Sequence, residues 1–253
     1  MKIQAHEIAR MIDPSTLKID TTENDVLKLI EACKKYDFIC AFAWPCFGEM
    51  LGKALKDTNT RLGASLSFPS GQEPTEIKVK QAEYFMKIGA EEIDMVMNVG
   101  YLKSGCFDKA KEDILAVKAA INGKLLKVIV ESMLLTDEQL IDACKIVMDC
   151  GADFVKTGTG FSPNPTTLHH VEVMKKTIGN SIKLKVAGGV RDLNTLLNMH
   201  VRGAERFGIG LAASINIMEE ALSFKDGVRL PELSAQCKEC ETAKSTGTQQ
   251  STY

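Results

Sequence analysis

The 253-residue chain is predicted to fold as an α/β protein, a single-domain (β/α)8 TIM barrel. Short apolar segments rich in Val, Ile and Phe alternate with amphipathic segments along the chain, which is typical of parallel βαβ units. Eight strand candidates in a chain of this length fit a closed barrel better than an open sheet. The strand candidate at 38–44 is followed by Pro45, not by the glycine-rich turn of an open dinucleotide-binding sheet.

Strand candidates alternate with helix-like amphipathic segments along the chain. The strand candidates are residues 11–13, 38–44, 61–68, 92–99, 125–133, 153–158, 183–187 and 206–208. The amphipathic segments are residues 22–36, 76–88, 107–122, 137–150, 166–178, 192–200 and 212–222. Thr22 and Asp25 have the spacing of a capping box at the start of the first of these helices. Gly-Ala pairs, such as Gly89-Ala90, predict helix ends before strands.

Composition limits the classes of partner. Residues 1–230 are predicted to form the barrel domain, and residues 231–253 a polar, flexible tail that ends in Tyr253. A net charge of −2 offers no basic surface for nucleic acid or anionic lipid, so we expect a small-molecule substrate and no membrane partner. No apolar run approaches the ~20 residues of a membrane span, so we expect a cytoplasmic protein. The chain could also assemble into a homo-oligomer.

The cysteines and histidines do not predict a metal site. The eight cysteines are scattered through a chain that is too long to need disulfides, so reduced thiols are expected. Cys237 and Cys240 form a CxxC pair, but no second pair or HxxxH spacing supplies the remaining ligands of a zinc site. We therefore predict no bound metal.

Two lysines lie near the carboxyl ends of neighbouring strand candidates. Lys156 lies in Asp-Phe-Val-Lys-Thr-Gly and Lys185 in Leu-Lys-Val-Ala-Gly-Gly. Enzymes with a barrel fold place their chemistry at this end of the strands. Because adjacent strands are ~4.8 Å apart, two inward ammonium groups would repel each other, and one would lose its proton more easily. A neutral lysine can form a Schiff base with a carbonyl compound. Two alternatives remain: both lysines are solvated at the rim, or one pairs with Glu131 or Asp94.

Asp94 is predicted to face the same interior. It alternates with Ile93 and Met95, so its side chain projects to the opposite side of the strand. A carboxylate among apolar residues needs a partner, which a lysine across the barrel mouth would supply. Asp94 could hold a water for proton transfer, or it could form a structural ion pair.

Glycines after the last two strands predict an anion site. Gly188-Gly189 follows the seventh strand candidate, and Gly208 and Gly210 precede the last amphipathic helix beside Leu211. Backbone amides at glycines and at a helix amino terminus bind phosphate in many barrels.

Taken together, these motifs resemble the deoxyribose-phosphate aldolase family over almost the whole chain. The matching stretches are Met-Ile-Asp at 11–13, Ala-Glu-Glu-Ile-Asp-Met-Val at 90–96, Leu-Lys-Val-Ile-Val-Glu at 126–131, Asp-Phe-Val-Lys-Thr at 153–157 and Lys-Val-Ala-Gly-Gly-Val-Arg at 185–191. The resemblance implies the same (β/α)8 barrel fold and the activity of a metal-independent lyase without a cofactor. Members of the family split 2-deoxyribose 5-phosphate reversibly into acetaldehyde and glyceraldehyde 3-phosphate.

The resemblance also implies roles for individual residues. Lys156 would form the Schiff base, Lys185 would lower its pKa, Asp94 would relay protons through a water, and Tyr253 would assist at the enamine carbon. The implied substrate- and phosphate-binding residues are Thr157, Gly158, Gly188, Gly189, Gly208, Gly210 and Leu211.

Several positions depart from the family pattern. Hydroxyl groups are missing at three positions of the implied phosphate site, and bulkier residues stand at other positions of the pocket. The departures are Pro14, Phe42, Trp44, Gly158, Gly210 and Leu211. They motivate an alternative, a Schiff-base aldolase of the same fold for a different, unphosphorylated or bulkier aldol. A catalytically silent barrel that binds a sugar phosphate is a third hypothesis.

Overall fold

The computed structural model describes residues 1–233, and in them eight parallel strands close into a barrel, as predicted. The barrel strands are β2 (Ile12–Thr16), β3 (Cys40–Ala43), β4 (Arg61–Leu66), β5 (Glu92–Val96), β6 (Leu125–Ile129), β7 (Phe154–Lys156), β8 (Lys183–Ala187) and β9 (Arg206–Gly210). An antiparallel pair, β1 (Lys2–Ile3) and β10 (Val228–Arg229), lies outside the barrel. β2 pairs with β9 and closes it.

Helices connect successive strands. They are α1 (Ala5–Ala9), α2 (Glu23–Tyr36), α3 (Gly48–Leu55), α4 (Thr75–Lys87), α5 (Val99–Lys103), α6 (Phe107–Ala120), α7 (Asp137–Asp149), α8 (Leu168–Ile178), α9 (Leu193–His200) and α10 (Leu211–Ser223). The predicted capping box of α2 is confirmed, because Thr22 and Asp25 exchange side-chain-to-backbone hydrogen bonds. Val26, Leu29 and Cys33 on its inner face are buried in the core.

Each strand candidate lies on a barrel strand, but several ends were wrong. The segment predicted at 125–133 stops at Ile129, because Glu131 adopts a left-handed conformation with φ 53°. The segment at 92–99 stops at Val96, because the side chain of Asn98 accepts a hydrogen bond from Tyr101 N and caps α5. The helices α1, α3 and α5 were not predicted, since each is too short for a clear periodic pattern.

Some predictions lie partly or wholly outside the described residues. The boundary at residue 230 and the flexible tail stay predictions, and Cys237, Cys240 and Tyr253 are not described. The six cysteines between residues 1 and 233 are all free thiols. Within the same range, no helix is long and apolar enough to cross a membrane.

Candidate active site

Lys156 and Lys185 lie side by side at the mouth of the barrel. They are register partners on the neighbouring strands β7 and β8. Both are almost completely buried, which rules out the alternative that they are solvated lysines on the rim. Their ammonium groups meet at Asp94 on β5: the Oδ2 atom of Asp94 accepts a hydrogen bond from Lys156 Nζ at 2.8 Å and from Lys185 Nζ at 2.7 Å.

A third lysine completes the surroundings of Asp94. Lys127 on β6 donates to Asp94 Oδ1 at 2.9 Å and also lies 2.6 Å from Glu92 Oε2. Both oxygens of this fully buried carboxylate are therefore bound to lysines. The expectation that Asp94 pairs with a lysine is confirmed, and the number of lysines exceeds the one expected.

Below the lysines, charged residues from β2 and β9 extend the network. Asp13 Oδ2 lies 2.5 Å from Lys185 Nζ, and Asp13 Oδ1 accepts from Arg206 at 2.7 Å. Arg206 also reaches Glu92 at 3.2 Å. Glu92 in turn binds Arg61, whose side chain is 45% exposed at the opposite end of the barrel.

The buried charges at this site indicate which lysine is neutral. In the described part of the chain, three buried carboxylates face four buried cationic side chains; the residues are Asp13, Glu92, Asp94, Lys127, Lys156, Lys185 and Arg206. Unpaired charge is expensive to bury, so the set is balanced when one lysine is neutral. Among residues 1–233, Lys156 donates to Asp94 alone, whereas Lys127 and Lys185 each lie against at least two carboxylates. Lys156 is therefore the lysine whose charge is least stabilised.

The pKa shifts agree with this comparison. Burial lowers the pKa of Lys156, Asp94 opposes that effect, and the nearby Lys185 lowers it further, to about 8. Burial on its own would raise the pKa of Asp94, but Lys127, Lys156 and Lys185 hold it well below the usual range. Loss of hydration is thus a larger cause of the Lys156 shift than the neighbouring lysine that sequence reasoning emphasised.

A cavity of about 1330 Å³ opens above the lysines and extends between α2 and α10. Lys156, Lys185 and Asp94 line its floor. Its wall contains five of the residues that the sequence predicted for phosphate binding, namely Gly188, Gly189, Gly208, Gly210 and Leu211. Gly189 has φ 102°, and a β-carbon there would lie 2.5 Å from Pro165 Cβ, so the loop requires glycine. Gly210 is the N-cap of α10 and leaves the helix start without a side-chain cap.

Thr157 and Gly158 are not brought to this cavity. The Thr157 hydroxyl is buried and hydrogen-bonded to the backbone of Ala187 and to Thr166, so it joins β7 to β8. A β-carbon at Gly158 would lie 2.4 Å from Met133 Cε and 2.8 Å from Glu131 Oε1. Gly158 therefore permits close packing of this loop against Glu131 and Met133, and the structure gives neither residue a place on the cavity wall.

The two bulky residues noted in the sequence occupy different places. Phe42 is buried and lines the cavity. Trp44 lies on the rim, where its ring packs edge-on against Phe68 and Phe161 at centroid distances of 6.0 and 6.3 Å. Phe161 is the member of this aromatic group that reaches the cavity wall.

One buried group has the donor types of a metal site. Asp13, Cys40 and Glu92 place ligand atoms within 4.8 Å of one another. However, both carboxylates are bound to cationic side chains, and burial raises the pKa of the Cys40 thiol well above its usual value. A protonated thiol between neutralised carboxylates does not suit a metal ion.

Sequence reasoning missed several charged residues of the site. Asp13 and Glu131 were noted, but Lys127, Glu92 and Arg206 received no role. A signal was present for Lys127, because it occupies the middle of Leu-Leu-Lys-Val-Ile, a strand as apolar as the one that holds Lys156. Glu92 lies two residues before Asp94 and therefore shares its face of the strand.

Fold and site together define an enzyme class. A closed (β/α)8 barrel with a buried lysine of lowered pKa at the carboxyl end of its strands has the features of a lysine-dependent barrel enzyme. Comparison with known proteins gives the family. Residues 48–220 match the family model of the DeoC/LacD family aldolases, and the chain belongs to this family.

Individual proteins that are similar to this chain agree with the family assignment. The chain is 39% identical over 213 residues to deoxyribose-phosphate aldolase of Mannheimia succiniciproducens, covering 84% of this chain and 94% of the relative. It is 41% identical over 216 residues to deoxyribose-phosphate aldolase of Clostridium tetani, covering 85% of this chain and 99% of the relative. The solved tetrameric deoxyribose phosphate aldolase of Aeropyrum pernix superposes with a TM-score of 0.79 at 26% identity, covering 88% of this chain and 93% of that one.

Proposed function

We propose that this aldolase cleaves 2-deoxyribose 5-phosphate reversibly into acetaldehyde and glyceraldehyde 3-phosphate through a Schiff base on Lys156. The observation that carries the proposal is the shared oxygen of Asp94, which holds Lys156 beside the ammonium group of Lys185 in a buried, charge-balanced interior. The relatives named deoxyribose-phosphate aldolase support the choice of substrate.

The first chemical step uses the free amine of Lys156. Its lone pair attacks the C1 aldehyde of the open-chain sugar to give a carbinolamine, which loses water to form the imine. Asp94 contacts the amine directly. By the family resemblance, we assign to it the relay of protons during this step through a water. Lys185 lies next to the reacting nitrogen and lowers the pKa of Lys156, which favours the neutral amine.

The second step breaks the bond between C2 and C3. The C3 hydroxyl gives its proton to the water relay assigned to Asp94 and becomes the carbonyl of glyceraldehyde 3-phosphate. The C2–C3 bonding pair forms a double bond between C1 and C2, the nitrogen of the protonated imine takes up the C1–N π pair, and a neutral enamine remains on Lys156. Protonation of C2 and hydrolysis of the resulting imine release acetaldehyde and restore the amine. We assign assistance in the C2 protonation to Tyr253, by the family resemblance. Deletion of Tyr253 should slow proton exchange at C2 and spare imine formation.

The phosphate of the substrate is assigned to the cavity wall formed by Gly188, Gly189 and the start of α10. The first turn of α10 contains no acidic side chain, and its amino terminus has no side-chain cap, so backbone N–H groups there favour an anion. Backbone amides would thus replace the hydroxyl groups missing from Gly210 and Leu211. Comparing turnover of 2-deoxyribose 5-phosphate with that of free 2-deoxyribose tests this assignment: equal turnover would contradict it.

Assembly and location form part of the proposal. The Aeropyrum pernix relative is described as a tetramer, which favours a homo-oligomer here. Light scattering during gel filtration would test it. A phosphorylated sugar is charged and does not cross a bilayer freely, which favours a cytoplasmic enzyme.

The deciding experiment is borohydride trapping. The protein is incubated with acetaldehyde or 2-deoxyribose 5-phosphate, reduced, and mapped by peptide mass spectrometry. We expect a stable adduct on Lys156 and none on Lys185 or Lys127. An adduct confined to another lysine, or no adduct while a known Schiff-base aldolase is labelled in parallel, would contradict the proposal.

A further inference from the structure

Phe42 lies inside the barrel among the charged residues. It belongs to β3, its side chain is 3% exposed, and it lines the cavity. The centre of its ring is 4.5 Å from Lys185 Nζ and 5.0 Å from Lys127 Nζ. These distances are those of cation–π contacts, in which the electron-rich face of a ring attracts an ammonium group. One ring therefore contacts two of the three lysines that surround Asp94.

The neighbouring strand is built to admit this ring. Gly63 on β4 is the register partner of Phe42. A β-carbon at Gly63 would lie 2.3 Å from Phe42 Cζ and 2.6 Å from both Cε atoms. The ring thus occupies the space that any side chain at position 63 would need, and Phe42 and Gly63 form one structural unit.

The charged groups around Lys185 come from five strands. Asp13 on β2 and Asp94 on β5 accept its hydrogen bonds, while Lys127 on β6 and Lys156 on β7 bind the same Asp94 carboxylate. Arg206 on β9 lies on the far side of Asp13. The Phe42 ring is an uncharged neighbour of Lys185 within this set, and its face covers one side of the ammonium group at 4.5 Å.

The three lysines at Asp94 differ in their contact with the ring. Lys127 and Lys185 lie over it; Lys156 does not, within the described part of the chain. We propose that Phe42 is a positioning residue: its ring holds the ammonium groups of Lys185 and Lys127 against Asp94 and excludes water from them, so that the free amine is that of Lys156. This inference rests on the proposed function of Lys156 and extends it to a residue whose ring contacts Lys185 and Lys127.

The ring's effect can be measured without the aldol substrate. Competitive acetylation of Lys156 with acetic anhydride from pH 6 to 10, followed by peptide mapping, gives the midpoint of its titration. In Phe42→Leu, which keeps an apolar side chain but lacks the ring face, water can reach Lys185 and weaken its effect on Lys156. We expect the Lys156 midpoint to move upward by about 0.5–1 pH unit. The value of kcat/KM at neutral pH should then fall about 3- to 10-fold.

A matched control is Phe38→Leu. Phe38 is also buried, lies two residues before the start of β3, and packs against Tyr36. It should lower stability without moving the Lys156 midpoint. An unchanged midpoint in Phe42→Leu, or an equal shift in Phe38→Leu, would overturn the proposal.

A second pair of variants separates the effect of the ring on the Lys156 midpoint from an effect of altered packing. Gly63→Ala should displace the ring and shift the midpoint in the same direction as Phe42→Leu. Phe42→Leu combined with Gly63→Ala should relieve the steric conflict, recover stability relative to Gly63→Ala, and still show the shifted midpoint. Recovery of the wild-type midpoint in the double variant would count against the ring. Failure of the wild-type protein to form an acetaldehyde adduct would instead count against the proposed function, because the acetylation midpoint does not depend on it.

Discussion

Asp94 Oδ2 accepts hydrogen bonds from Lys156 at 2.8 Å and from Lys185 at 2.7 Å, so one carboxylate oxygen joins two lysines of neighbouring strands. Its other oxygen binds Lys127 at 2.9 Å. This arrangement places two ammonium groups close to Lys156 and gives Lys156 a single carboxylate partner in the described residues. Burial then makes the neutral form of Lys156 accessible near physiological pH.

The activity should follow the titration of Lys156. Because its pKa is lowered to about 8 and the neutral amine is the nucleophile, kcat/KM should rise as pH increases through that value. Well below pH 8 it should fall about tenfold per pH unit, since each unit removes nine-tenths of the neutral amine. Initial rates of sugar phosphate cleavage from about pH 6 to 10 check this. A profile that is flat below pH 8 would contradict the assignment.

Replacing Lys185 should leave Lys156 protonated. Lys185→Met removes a charge that lowers the pKa of Lys156, while Asp94 still stabilises the ammonium form. We expect kcat/KM at neutral pH to fall about 10- to 100-fold and its acidic limb to move to higher pH. The control is Lys183→Met, at the exposed start of the same strand, which should behave like wild type. Equal profiles for the two variants would argue against a role for Lys185.

Substitution by methionine should have different effects on stability at Lys127 and at Lys156. Lys127→Met leaves Glu92 without its lysine and frees one Asp94 oxygen in the core, so it should destabilise the fold by about 3–5 kcal/mol. Lys156→Met leaves Asp94 bound to Lys127 and Lys185, so it should abolish adduct formation and change stability by less than about 1.5 kcal/mol. Urea unfolding measures both. A larger loss of stability in Lys156→Met would mean that Lys156 is a structural ion-pair partner.

The position of the loop after Lys156 should depend on the hydrogen bonds of Thr159. Glu131 is buried, has φ 53°, and accepts hydrogen bonds from the Thr159 hydroxyl at 2.6 Å and from its backbone N–H at 3.1 Å. Because Thr159, Gly160 and Phe161 line the cavity, Thr159→Val should raise KM about 3- to 10-fold and affect kcat less. Thr177→Val, which removes a hydroxyl bound to Val173 O on the outer helix α8, is the control. A fall in kcat at constant KM would place the effect on the chemistry instead.

The sequence by itself determined the order of the eight barrel strands and the three central residues of the site. Hydrophobic periodicity and glycine stops are local properties, which is why the eight strands could be placed before the tertiary structure was known. Lys156, Lys185 and Asp94 stood out because a charged residue in an apolar strand is expensive unless it is paired. The strand ends were less accurate, since the left-handed Glu131 and the Asn98 cap depend on single residues.

Only the tertiary structure decided how the charges are matched. Arg206 on β9 contacts Asp13 on β2 and Glu92 on β5, and these strands are far apart in the chain, so only closure of the barrel brings the three side chains together. The packing of the Phe42 ring over Gly63 is likewise invisible in the sequence, because it needs the register of two strands whose residues are 21 positions apart (63 minus 42). The same holds for Thr157, whose hydroxyl turned out to join two strands. Local patterns specify which residues are buried, whereas the partners of each buried charge depend on contacts between distant parts of the chain.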